Sequence, residues 1–160
     1  GLQGAPENAR SVATMLQGLA AMAGCTLAGP MVQRIGRRPG IALAALGGLG
    51  ASALLFTTNP VFSQAIYWQS ALSGFFIGLQ QASLYVYMPE LFPTRIRATA
   101  TGLSLNVGRF ATALAVFFMG ALVPMLGGYA NAALSFASAY LVAAVAVCFG
   151  PETKGRPLLE

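Results

Sequence analysis

Long apolar runs separated by short polar turns account for most of the sequence, and their order predicts its architecture. The runs extend from about Ser11 to Val32, Gly40 to Thr57, Val61 to Tyr87, Ala98 to Pro124 and Asn131 to Phe149. At about 1.5 Å per helical residue, each is long enough to cross a hydrocarbon core roughly 30 Å thick. The runs are continuous rather than alternating and are rich in Ala and Leu, which excludes the alternating segments of about ten residues that build a membrane barrel. The predicted fold is all-α, with five membrane-spanning helices.

The turns carry their own signals. Ser11 is expected to cap the first helix, Gly36 to stop it, and Pro39 to sit in the first turn of the second. Asn59-Pro60 reads as a cap followed at once by a new helix, and Asn131 as the cap of the last, which Gly150-Pro151 ends. Pro89 and Pro93 remove backbone donors and clash with a continuing helix, so the third run is expected to stop near Tyr87. That run is longer than a bilayer needs and is expected to tilt or project. Gly47, Gly48 and Gly50 in the second run, and the Gly74-x-x-x-Gly78 pair in the third, would let a neighbouring helix approach closely.

Composition and charge fix the solvent and the orientation. Hydrophobic residues make up 56% and charged residues 8% of the chain, far from the roughly 25% charged that a soluble surface carries. The net charge of +5 would invite a nucleic-acid reading in a soluble domain. Here the cations sit in turns. Arg34, Arg37, Arg38, Arg95, Arg97, Lys154 and Arg156 fall on one face and Arg10 on the other. The positive-inside rule therefore places residues 1–10 outside and the C-terminus in the cytoplasm, with no role for nucleic acid. The chain opens Gly-Leu-Gln-Gly without an initiator Met or a basic leader, and is expected to be a piece of a longer chain.

Three turns carry a resemblance. Gly29-Pro30-Met31-Val32-Gln33-Arg34-Ile35-Gly36-Arg37-Arg38-Pro39 resembles the G-x-x-x-D-R-x-G-R-R loop of the major facilitator superfamily. Pro89-Glu90-Leu91-Phe92-Pro93-Thr94-Arg95-Ile96-Arg97 resembles the P-E-x-x-P-x-x-x-R turn after the tenth helix of its sugar and metabolite porters, and Pro151-Glu152-Thr153-Lys154-Gly155 the P-E-T-K-G tail after the twelfth. The resemblance implies helices eight to twelve, part of the C-terminal six-helix bundle of a twelve-helix fold that N-terminal helices would complete. It implies alternating-access transport of a small molecule in a bacterial plasma membrane. The phrase Gly102-Leu103-Ser104-Leu105-Asn106-Val107-Gly108-Arg109 leans toward metabolite:proton symporters of small organic anions; a sugar or polyol porter is the alternative. Gln33 stands where the family places an acid.

Candidate chemistry centres on Arg109, about 18 Å along its helix from Arg97 and so near mid-membrane. An arginine there costs about 2.5 to 3.5 kcal/mol on the insertion scale and tends to face a wet cavity or a partner. It could fork onto a substrate carboxylate, or onto backbone carbonyls or another helix. Asn106 shares its face, and Gln80, Gln81 and Gln17 are further candidate substrate contacts, each with interhelical packing as the plainer role. Gln80 and Gln81 are adjacent and cannot share one face. Tyr67, Trp68 and Tyr85 can stack on a ring or simply pack. The candidate cytoplasmic gate comprises Arg34, Arg37, Arg38, Glu90, Arg95, Arg97, Glu152 and Lys154, through ion pairs between turns; solvated loop charge is the alternative.

Other classes find little footing. Cys25 and Cys148 lie in apolar runs as small hydrophobes, no histidine is present, and no metal or cofactor is expected. No paired carboxylates, nucleophile with a base, or phosphate loop points to an enzyme. All four acids, Glu7, Glu90, Glu152 and Glu160, lie in loops or tails, so a coupling proton would have to bind on helices outside this chain. A membrane scaffold without transport, or the product of a truncated gene, is the reading from a different class.

Overall fold

The computed structural model describes residues 8–59, 63–151 and 153, and among them every regular element is a helix. The helices are α1 (Ala9–Ile35), α2 (Arg37–Thr58), α3 (Ala65–Glu90), α4 (Arg97–Met125) and α5 (Tyr129–Phe149). Gly36 alone separates α1 from α2. Its φ of 116° is open to glycine and strained for other residues, and its N–H closes α1 on the carbonyl of Val32 at 3.1 Å.

Several turn signals act differently from their sequence reading. Asn8, not Ser11, precedes α1, and it makes no side-chain cap bond. Asn59 closes α2 rather than opening α3, which starts at Ala65. Helix α3 passes through Pro89 to Glu90 instead of stopping near Tyr87, because a proline in the last turn forfeits a single ladder bond, the one to Tyr85. Gly128 precedes α5, and Asn131 instead turns its amide back to the carbonyl of Leu126, 2.9 Å away at the end of α4.

Consecutive helices are not the best-packed pairs. Helix α3 lies along α1 and also packs on α2, α2 packs on α5, and α1 barely touches α2 despite the one-residue turn. Helix α4 rests lightly on α3 and α5 and buries no residue. Small residues make the α1–α3 contact. A Cβ added at Gly74 would overlap the carbonyl oxygen of Gln17, one at Gly78 that of Ala21, and one at Gly24 that of Phe75. Backbones this close are the small-residue packing of membrane helices. Cys25 adds a weak bond from Sγ to the carbonyl of Gly78 at 3.3 Å.

The distribution of side chains is that of a chain dissolved in lipid. Buried positions are dominated by Ala28, Ala44, Ala45, Ala132 and Ser83, while Phe117, Met125 and Phe149 are 80%, 82% and 85% exposed. A water-soluble domain buries its large apolar residues first. By length and composition, α1, α2, α4 and the α5 segment from Asn131 are apolar enough to cross a membrane. Helix α3 is of similar length but is not among them, and its polar residues Gln69, Ser70, Ser73 and Ser83 are buried against its neighbours. Packing against α1 and α2 keeps these polar side chains out of lipid.

Candidate functional site

The antiparallel order brings the C-terminal ends of α1, α3 and α5 together with the N-terminal end of α2. Glu90 is the centre of this end. Arg37 Nε donates to Glu90 Oε2 at 3.0 Å and Oε1 at 3.3 Å, and Nη2 donates to Oε1 at 2.7 Å. This is a fork-on-carboxylate pairing, and its side chains are only 16% and 18% exposed. Arg37 Nη1 also reaches the carbonyl of Val32 at 3.4 Å, tying the fork to the last turn of α1. Thr153 Oγ1 donates to the same Glu90 carboxylate, so all three motif-bearing turns meet on it.

Arg38 donates to the end of α5, through Nε to the carbonyl of Val147 at 3.3 Å and through Nη2 to that of Cys148. A cation on the last carbonyls of a helix also complements its dipole. Tyr87, buried in α3, donates its hydroxyl to Pro151 at 2.8 Å. Arg97 Nε donates to the carbonyl of Phe92 at 3.3 Å and stiffens the α3–α4 turn. Arg34, Arg95 and Gln33 are exposed at this end. Glu152 and Lys154 lie outside the described residues.

A second polar cluster sits farther into the bundle, on α3 and α4. Arg109 Nη2 donates to Tyr85 Oη at 3.0 Å, and Gln81 Nε2, one turn earlier on α3, donates to the same oxygen at 2.8 Å. All three residues are exposed to the space beside α3 and α4. Asn106 is not part of the cluster: its Nδ2 bonds the carbonyl of Gly102 on its own helix at 2.8 Å. Gln17 lies at the α1–α3 contact, its Cγ and backbone against Gly74.

Gln80 faces the other way. It lines a cavity of about 570 Å³ between α2, α3, α4 and α5, together with Ser52, Phe56, Thr112, Phe136 and Tyr140. The cavity and the arginine cluster thus occupy adjoining faces of α3 and α4. At the end of the bundle away from Glu90, Gln69 is 3% exposed, donates to Thr58 Oγ1 at 3.0 Å and accepts from Asn59 Nδ2. Nothing in the hydrophobic pattern announces this network, since its members are uncharged polar residues on either side of a turn. Thr153 was visible only as part of the tail phrase.

The family model described as Major Facilitator Superfamily matches residues 3–159. The chain belongs to the major facilitator superfamily. Among curated relatives, this superfamily chain is 32% identical over 141 residues to the niacin transporter NiaP of Acinetobacter baylyi, covering 88% of the chain and 32% of that protein. It is 29% identical over 149 residues to a probable 4-methylmuconolactone transporter of Cupriavidus pinatubonensis, covering 90% of the chain and 33% of the relative. Over 93 residues it is 37% identical to a cis,cis-muconate transport protein of A. baylyi, covering 58% and 22%. The chain therefore spans about a third or less of the length of these relatives.

Proposed function

We propose that this chain forms helices eight to twelve of a secondary-active transporter that carries a small organic anion by alternating access. The observation that carries the reading is Arg109: a guanidinium about a dozen residues inside α4, bonded to a neutral phenol rather than to an acid. Among the described residues the one carboxylate is Glu90, and Arg37 holds it at the end of the bundle. Arg109 thus keeps a positive charge for an incoming anion, in a setting where ion pairing is stronger than in water. Relatives named for niacin and cis,cis-muconate, both small carboxylates, support the same class.

In this reading the Arg37–Glu90–Thr153 junction is the cytoplasmic gate, made when the inner side is closed and broken when it opens. The C-terminus then lies in the cytoplasm. Transport is proton-coupled, with the proton carried by helices outside this chain. Glu90 serves the gate.

The test is uptake of radiolabelled nicotinate by cells expressing the full-length transporter and its Arg109→Gln variant. A rise in KM of tenfold or more supports the reading, and an unchanged KM contradicts it. A transporter that takes up hexoses or polyols but none of nicotinate, benzoate or muconate belongs to the sugar-porter branch instead.

A further inference from the structure

The geometry points to Tyr85 as a second, hydrogen-donating arm of the anion site, with Gln81 as the residue that aims it; this rests on Arg109 meeting the substrate's charge. A phenol oxygen offers two lone pairs and one proton. Both lone pairs of Tyr85 are engaged, one by Arg109 Nη2 at 3.0 Å and one by Gln81 Nε2 at 2.8 Å. The proton is what the hydroxyl has left. Two N–H donors already point at the oxygen, so its own O–H must turn away from both.

What it turns toward follows from exposure. Tyr85 is 38% exposed, and Arg109 and Gln81 are exposed beside it. The guanidinium has five N–H groups, of which the Tyr85 bond uses one. The phenol proton and the remaining guanidinium N–H groups are all donors, and the residues that carry them are exposed to the same space beside α3 and α4. An ionised carboxylate is an acceptor-only group with two oxygens, and fits such a surface. A neutral amide offers one acceptor oxygen and brings two donors of its own, so it meets the same surface badly.

Gln81 completes the arrangement from one helical turn away. Its amide occupies the lone pair that would otherwise let the hydroxyl rotate its proton inward. It does not need to touch the substrate to matter. The pair thus sorts carboxylates from their neutral analogues, a selectivity that Arg109 alone would supply only through charge.

The experiment measures nicotinate uptake, and competition by nicotinamide, in the full-length transporter. Tyr85→Phe keeps the ring and removes the donor. We expect its KM for nicotinate to rise about tenfold with Vmax within about twofold of wild type, and nicotinamide competition to be unchanged, since a bond to a charged acceptor is worth at least that factor. Gln81→Leu should raise KM less. Gln81→Glu should raise it more than Gln81→Leu, because its carboxylate takes the Tyr85 proton for itself. A wild-type KM in Tyr85→Phe, with uptake lost in Arg109→Gln, overturns this inference and leaves the transport reading standing. A wild-type KM in Arg109→Gln overturns both, as does a wild-type protein that transports no carboxylate. If Tyr85→Phe does not reach the membrane, the Gln81 pair decides: equal KM values for Gln81→Leu and Gln81→Glu overturn the assignment.

Discussion

Arg37 and Glu90, far apart in sequence, form a forked ion pair whose shortest bond is 2.7 Å and which fastens the α1–α2 turn to the last residue of α3. Thr153 donates to the same carboxylate, so the tail after α5 is held there too. A single acid organises this end of the bundle.

Glu90→Gln should therefore loosen this end as a unit. The amide keeps one acceptor oxygen for Arg37 and loses the charge. Because the pair is largely buried, a double-mutant cycle combining Glu90→Gln with Arg37→Gln should give a coupling of about 1–3 kcal/mol in the thermal stability of the detergent-solubilised chain. A coupling below about 0.3 kcal/mol would mark the pair as ordinary surface charge.

Glycine positions should divide by what lies opposite them. Gly78→Ala drives a methyl group into the carbonyl oxygen of Ala21 and must push α1 from α3, costing about 1–3 kcal/mol. A Cβ at Gly50 meets nothing within 4 Å, so Gly50→Ala should leave stability unchanged or raise it by about 0.5–1 kcal/mol through helix propensity. Melting the two variants side by side in one detergent checks the contrast, and equal shifts would contradict it.

At the opposite end, Gln69→Leu should unfasten the α2–α3 junction. It removes one acceptor of Asn59, which keeps the carbonyl of Leu55, and a donor to the exposed Thr58 hydroxyl, at a cost of about 0.5–1.5 kcal/mol. Amide hydrogen exchange should quicken at residues 55–59 and stay unchanged at residues 37–45. Uniform quickening would show that the network is not local.

Features of the sequence that act locally were legible; those that depend on distant partners were not. Continuous apolar runs revealed the helices, and Gly36 revealed a turn that needs positive φ. Pro89 misled, because a proline costs one ladder bond and a local clash without forbidding the turn it sits in, and α3 ends one residue beyond it, as α1 also continues past Pro30. Asn131 misled because a short amide beside a turn can serve either helix, and the carbonyl of Leu126 lay closer to hand. Arg109 stood out as a cation in apolar surroundings. The use of the Tyr85 hydroxyl did not, because it depends on Arg109, which lies on another helix. Glu90, Arg37 and the tail could be named as motifs, but their meeting on one carboxylate is a product of packing.

Cysteine mapping of the turns tests the account most directly. In a background lacking Cys25 and Cys148, single cysteines at Arg34→Cys, Ser63→Cys, Arg95→Cys and Leu126→Cys are exposed to a membrane-impermeant maleimide in intact cells. Labelling is expected at positions 63 and 126, and at positions 34 and 95 only after permeabilisation. Positions 34 and 95 reacting from opposite compartments would contradict it, as would a chain recovered in the soluble fraction.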